Sequence, residues 1–89
     1  MPNIKSAEKR ARQAAVRTER NRRVKSVVKT SIRRFKEALQ SGDGESAREK
    51  LKAAIRQIDK AAARGVIHKN NAARRKSRLT RLFNTSVTG

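Results

Sequence analysis

The chain has 89 residues, room for one small domain, and carries 25 Lys and Arg against 7 Asp and Glu, a formal net charge of +18. That density repels itself in a compact chain and is neutralised by a polyanion, which points to nucleic acid phosphates as the partner. The absence of Cys excludes disulfides and thiolate metal sites, one His cannot supply a metal site, no apolar run approaches the ~20 residues that span a bilayer, and two Phe with no Trp or Tyr are too few for stacking bases on aromatic platforms.

Pro2 is the only proline, and the glycines stand at 42, 44, 65 and 89. These breakers divide the chain into three segments. Nothing alternates with period two, and Ala, Arg, Lys, Glu and Leu dominate, so all three read as helices.

The first helix is predicted over about Ser6 to Gln40. In its second half, Val24, Val28, Ile32, Phe35 and Leu39 form one apolar stripe. Upstream the same stripe continues as Arg10, Gln13, Arg17, Arg20 and Asn21, so the face that should be buried turns polar and basic. A helix polar all round has no protein surface to pack on. Residues 1–23 therefore read as a basic arm, either disordered in the free protein or packed against something other than protein. At 1.5 Å per residue this helix is ~50 Å long, and its two shorter partners cover only the C-terminal half. The cations of the arm, Lys5, Lys9, Arg10, Arg12, Arg17, Arg20, Arg22 and Arg23, are candidate contacts to a polyanion.

Ser41-Gly42-Asp43-Gly44 reads as a helix stop followed by a start. Gly42 suits the left-handed position after a helix, and Asp43 suits the N-cap of the next. The second helix is predicted over about Glu45 to Ala63. Ala47, Leu51, Ala54, Ile55, Ile58 and Ala62 make its apolar stripe, and charges of both signs occupy the opposite face. Residues 41–64 net only +2, so this helix is expected to face water and to be the least involved in polyanion contact. Arg64-Gly65 should end it, with Arg64 favourable at a helix C-terminus. Both connections are short, which makes neighbouring helices antiparallel.

The third helix is predicted over about His68 to Asn84. Ala72, Leu79, Leu82 and Phe83 make its core side, and Asn70, Arg74, Ser77, Arg78 and Arg81 the far side. Residues 65–89 hold six cations and no acid. Arg74, Arg78 and Arg81 stand at i, i+4 and i+7, a row suited to successive phosphates, which the planar Arg fork grips in pairs of oxygens. Asn70, Asn71 and Ser77 suit sugar hydroxyls and phosphates. His68 and Arg75 fall near the core side. His68 reads first as a packing or capping residue and second as an RNA contact, since a helix N-terminus is an anion site. Arg75 is expected to lay its stem on the bundle and extend its head outward.

Three stretches, NIKSAEKR at 3–10, GD at 42–43 and above all GVIHKNNAARRKSRL at 65–79, resemble the bacterial small-subunit ribosomal protein family called S-twenty, over essentially the whole chain. The resemblance implies an all-α, antiparallel three-helix bundle with a long, protruding basic first helix. It also implies direct binding to small-subunit ribosomal RNA, other small-subunit components as neighbours, and a cytoplasmic location on the ribosome. Lys69, Asn70, Arg74, Arg75, Lys76 and Arg78 match the family motif and become RNA-contact candidates. His68, Asn71 and Arg81 join them from the reading of the third helix. No cofactor, small-molecule substrate or membrane is expected.

Other classes fit less well. A single His, no Cys and acids placed mainly on a solvated helix leave no acid–base pair or nucleophile, so an enzyme is not expected. A nucleoid-type DNA-binding protein shares the composition, yet nothing reads as a helix-turn-helix, a wedge residue or a minor-groove arm. A membrane-active basic helix would need a larger apolar face than the first helix has.

Overall fold

The computed structural model describes residues 2–88, with side chains for 4–86. It contains helix α1 (Pro2–Gln40), α2 (Gly44–Ala63) and α3 (Lys69–Thr88), and no strand among the described residues. α1 starts four residues before the predicted Ser6, because no breaker stands between and proline is tolerated in a first turn. α3 starts one residue after His68, which takes the cap position, and passes the predicted end at Asn84, because no Gly or Pro intervenes before Gly89.

Both turns use the residues expected of them. Gly42 has φ 78 and Gly65 φ 76, the left-handed region that costs other residues a clash with the following carbonyl. The Asp43 side chain accepts the Ser46 N–H at 3.1 Å and caps α2. At the other end of α2 the Gly65 N–H donates to the Ala62 carbonyl and the Val66 N–H to the Ala61 carbonyl, 3.0 and 2.9 Å. This is a Schellman closure, with Val66 turned partly into the core. A Cβ added at Gly65 would meet nothing within 4 Å, so Gly65→Ala isolates the backbone term. A loss of ~1–2 kcal/mol is expected in urea denaturation, with an unchanged native circular dichroism spectrum.

The core is one cluster drawn from all three helices. Val28, Phe35 and Ala38 enter from α1, Ala47, Leu51, Ala54, Ile58 and Ala61 from α2, and Ala72 and Leu79 from α3. Phe35 and Ile58 are wholly enclosed. Val24, Ile32, Leu39, Ile55, Ala62 and Phe83 pack around them, partly buried. Leu82 departs from the expected core side and is 41 % exposed. Ten residues beyond Ala72 it stands about 80° around the helix from it, beside Arg75 rather than under the bundle. No polar or charged side chain is buried among the described residues. Stability therefore rests on apolar packing, and Phe35→Ala should remove ~3–5 kcal/mol and Ile58→Ala ~2–5. A chain of this length has only ~4–13 kcal/mol in all. Urea midpoints of the two variants measure this.

α2 is the central element. It packs against α1 and against α3, while α1 and α3 approach each other only sparsely. The molecule is extended, 67 × 22 × 13 Å. Its radius of gyration of 17.8 Å compares with ~12 Å for a compact domain of this length. α1, ~58 Å long at 1.5 Å per residue, sets the long axis, and none of its residues 4–23 is buried or half-buried.

Candidate nucleic-acid interface

Because α2 holds α1 and α3 on its two sides, the space between those two helices stays open as a groove of about 740 Å³. Lys29, Arg33 and Lys36 of α1 form one wall; Arg74, Arg75 and Arg78 of α3 form the other, with Asn71 beside them. The floor is apolar, made by Ile32, Leu79 and Leu82. No acid lines the groove. Glu37 lies 3.7 Å from Arg33 along α1, with both side chains well exposed, an arrangement worth only a few tenths of a kcal/mol. Six cations are thus set around one trough by packing that itself involves no charge.

Two side-chain hydrogen bonds and one backbone bond order the start of α3. The Asn70 N–H donates to His68 Nδ1 at 3.1 Å, and the Ala72 N–H donates to the His68 carbonyl at 3.0 Å. His68 is therefore a side-chain cap, exposed to solvent rather than near the core side. One turn on, Arg75 Nε donates to Asn71 Oδ1 at 3.0 Å. That bond holds the half-buried Arg75 along the groove wall and leaves its terminal guanidinium nitrogens to reach outward. Losing the cap in His68→Ala should lower stability by ~0.5–2 kcal/mol, read as a lower urea midpoint with an unchanged slope.

Not every candidate on α3 faces the groove. Lys76 turns the other way and places Nζ 2.7 Å from Asp59 Oδ1 of α2, with both side chains roughly half exposed. Lys69, Asn70 and Arg81 are exposed but lie outside the groove lining.

The arm candidates fall on two flanks of α1. Arg22, with Thr18 and Lys25, lines a shallow cleft that reaches Lys29 and so runs into the groove. Lys9, Arg12, Arg17 and Arg20 line a cleft on the other flank. Arg17, Arg20 and Asn21 also face Arg64, Gly65 and Val66 across the end of the bundle, and Arg20 and Arg23 face Lys60 and Arg64. Arg23 has Glu19 at 3.7 Å. Lys5 and Arg10 are exposed and line none of these clefts.

One whole wall of the groove does not stand out in the sequence. Lys29, Arg33 and Lys36 stand at i, i+4 and i+7, the same spacing that singled out Arg74, Arg78 and Arg81, but on a helix where cations are common. Their position beside the apolar stripe was the available signal. Lys60 and Arg64, which face the arm's cations, do not stand out in the sequence because residues 41–64 net only +2.

Among the described residues no group of acids and His is placed to hold a metal ion, and no helix is long and apolar enough to cross a membrane. A family model described as "Ribosomal protein S20" matches residues 2–84. The chain belongs to that family. A relative in Natranaerobius thermophilus, named small ribosomal subunit protein bS20, is 62 % identical over 84 residues, which is 94 % of this chain and 96 % of the relative. The proteins of the same name in Pelotomaculum thermopropionicum and Desulforudis audaxviator are 58 % and 55 % identical over the full length of both chains. The S20 family is one of ribosomal proteins rather than of enzymes, which agrees with the lack of any nucleophile or acid–base pair expected from the sequence.

Proposed function

We propose that this S20-family chain is a structural component of the small ribosomal subunit and binds small-subunit ribosomal RNA directly, neutralising phosphates and bridging RNA segments that would otherwise repel. The observation that carries this reading is the groove between α1 and α3, with cationic walls and an apolar floor. Such a trough suits a sugar–phosphate strand, with riboses over Ile32, Leu79 and Leu82 and phosphates against the Lys and Arg walls. Arg74, Arg75 and Arg78 offer planar forks to phosphate oxygens. Asn71, its Oδ1 engaged by Arg75, keeps its amide nitrogen as a donor to phosphate or to a ribose 2′-hydroxyl, the group that marks RNA in its wide minor groove. The names of the relatives support the ribosomal setting.

The remaining cations act as positioning groups or as further phosphate contacts. The exposed arm extends the field along α1, and the Lys76–Asp59 pair is a half-exposed tie between α3 and α2 that adds little to the apolar packing that sets the groove wall.

Equilibrium binding to small-subunit ribosomal RNA over a range of salt tests the reading. Six neutralised phosphates give a log–log slope of about −4 to −5. At matched salt, binding to duplex DNA should be clearly weaker. An affinity insensitive to salt, or equal affinity for DNA, would overturn it.

A further inference from the structure

The end of the bundle holds a second concentration of charge. Where the apolar stripe of α1 stops at Val24, its continuation Arg17, Arg20 and Asn21 faces the α2–α3 turn across a cleft of about 640 Å³ lined also by Arg64, Gly65 and Val66. A neighbouring cleft of about 280 Å³ brings Arg20 and Arg23 opposite Lys60 and Arg64. Folding has placed five cations from two helices around one recess, and no acid lines either cleft. Of the nearby acids, Glu19 lies 3.7 Å from Arg23 with both side chains well exposed, and Asp59, the nearest acid in sequence to Lys60, is engaged by Lys76 of α3 at 2.7 Å. Like charges gathered within a Debye length of ~8–10 Å repel unless an anion enters between them. The Schellman closure fixes the recess: the Gly65 and Val66 N–H groups are spent on carbonyls of α2, so the side chains, not the turn's backbone, are what face an incoming group.

The cations of this recess and those of the α1–α3 groove lie on different flanks of α1, joined only by the arm cleft that Asn21 and Lys29 line. At 100° per residue, the groove wall Lys29, Arg33 and Lys36 lies on one flank of the α1 stripe, while Arg20 and Arg23 lie on the other. We propose that the recess is a second phosphate-backbone site, filled by an RNA strand other than the one in the groove, and that Lys60 and Arg64 of the nearly neutral helix α2 are RNA-contact residues. This rests on the RNA-binding reading above. Two sites on opposite flanks of one rod make the protein a strut between two RNA strands.

The test uses the full chain and small-subunit ribosomal RNA, with salt-dependent binding and hydroxyl-radical footprinting of the RNA backbone. The double variant Lys60→Gln/Arg64→Gln should reduce the slope by about 1.4–1.8, two phosphate contacts' worth. It should also lose protection at one RNA segment while keeping it at another. Arg74→Gln/Arg78→Gln should lose the complementary segment. Arg64→Lys should retain the slope. Lys50→Gln/Lys52→Gln, an equal charge change elsewhere on α2, should leave both readouts as in the wild type. Circular dichroism checks that each variant is folded, and the single variants Lys60→Gln and Arg64→Gln, each expected to lower the slope by about 0.7–0.9, keep the comparison readable if the double Gln variant is not. An unchanged slope and footprint for Lys60→Gln/Arg64→Gln, or an equal loss in the Lys50/Lys52 control, overturns the second site while leaving the RNA-binding reading standing. Failure of the wild-type chain to bind the RNA overturns both.

Discussion

Replacing Lys29, Arg33, Arg74 and Arg78 by Gln, two residues from each wall of the α1–α3 groove, should lower the slope of log K against log salt by about 3. Carried from molar to physiological salt, that change corresponds to a loss of roughly two to three orders of magnitude in RNA affinity at ~0.15 M. The fold should survive, because all the buried side chains that hold the bundle are apolar and none of the four is buried. Removing mutually repelling cations should, if anything, raise the urea midpoint. Affinity and stability then move in opposite directions, which separates a binding role from a structural one. If the quadruple variant bound RNA with the wild-type salt slope, the groove would not be where phosphates sit. If it unfolded, its charges would be holding the bundle together in a way the packing does not indicate.

Much of this organisation is legible in the residues themselves. Glycine at 42 and 65 marks both turns, Asp43 marks a cap, and the stripe Val24, Val28, Ile32, Phe35, Leu39 marks the half of α1 that is covered. These are local signals, each fixed by a backbone angle or by a 3.6-residue period, and they survive into the structure because nothing tertiary opposes them. The groove is a different kind of fact. Arg74 and Arg78 look like a phosphate row from the sequence, but their partners Lys29, Arg33 and Lys36 become a wall only once α3 settles on one particular flank of the α1 stripe. The period of a helix does not say which flank a third helix will choose. Leu82 illustrates the same gap: as a large apolar residue near the core stripe it reads as core, yet its angular offset puts it on the groove floor. Lys76 reads as one more cation in a basic run, and its use is set by Asp59, seventeen positions away on another helix. Charge density points to a polyanionic partner but not to its address, since any of 25 cations contributes to the first and only packing decides the second.

The arm gives the other large effect. In free protein, amides from Lys9 to Arg23 should exchange rapidly, while those from Leu51 to Ile58 should be protected nearly to the global stability. Fixing each backbone residue costs ~1–2 kcal/mol of entropy, and in this stretch no side chain is buried to offset it. The charge pattern adds to the cost. Pairs at i, i+3 or i, i+4 such as Lys5–Lys9, Lys9–Arg12, Arg17–Arg20 and Arg20–Arg23 repel, against attraction at Glu8–Arg12 and Glu19–Arg23. The first turn of α1 holds no acid, so cations crowd the positive end of the helix dipole. Two features work the other way. Ala7, Ala11, Ala14 and Ala15 favour the helix. The bundled half of α1 also supplies a ready nucleus, so the arm need only propagate and avoids the costly first turn. The expected outcome in free protein is therefore a gradient, with Lys9 the least protected and Arg23 the most. Bound RNA should reverse the balance, with phosphates turning each repelling pair into two attractions and placing negative charge at the positive helix end. Exchange across Lys9–Arg23 should then slow strongly and evenly, and the gradient should vanish. Uniform protection of the arm without RNA would refute coupled ordering and would mean that α1 is a preformed rod, with helix propensity and the nucleus outweighing the repulsion of its charges.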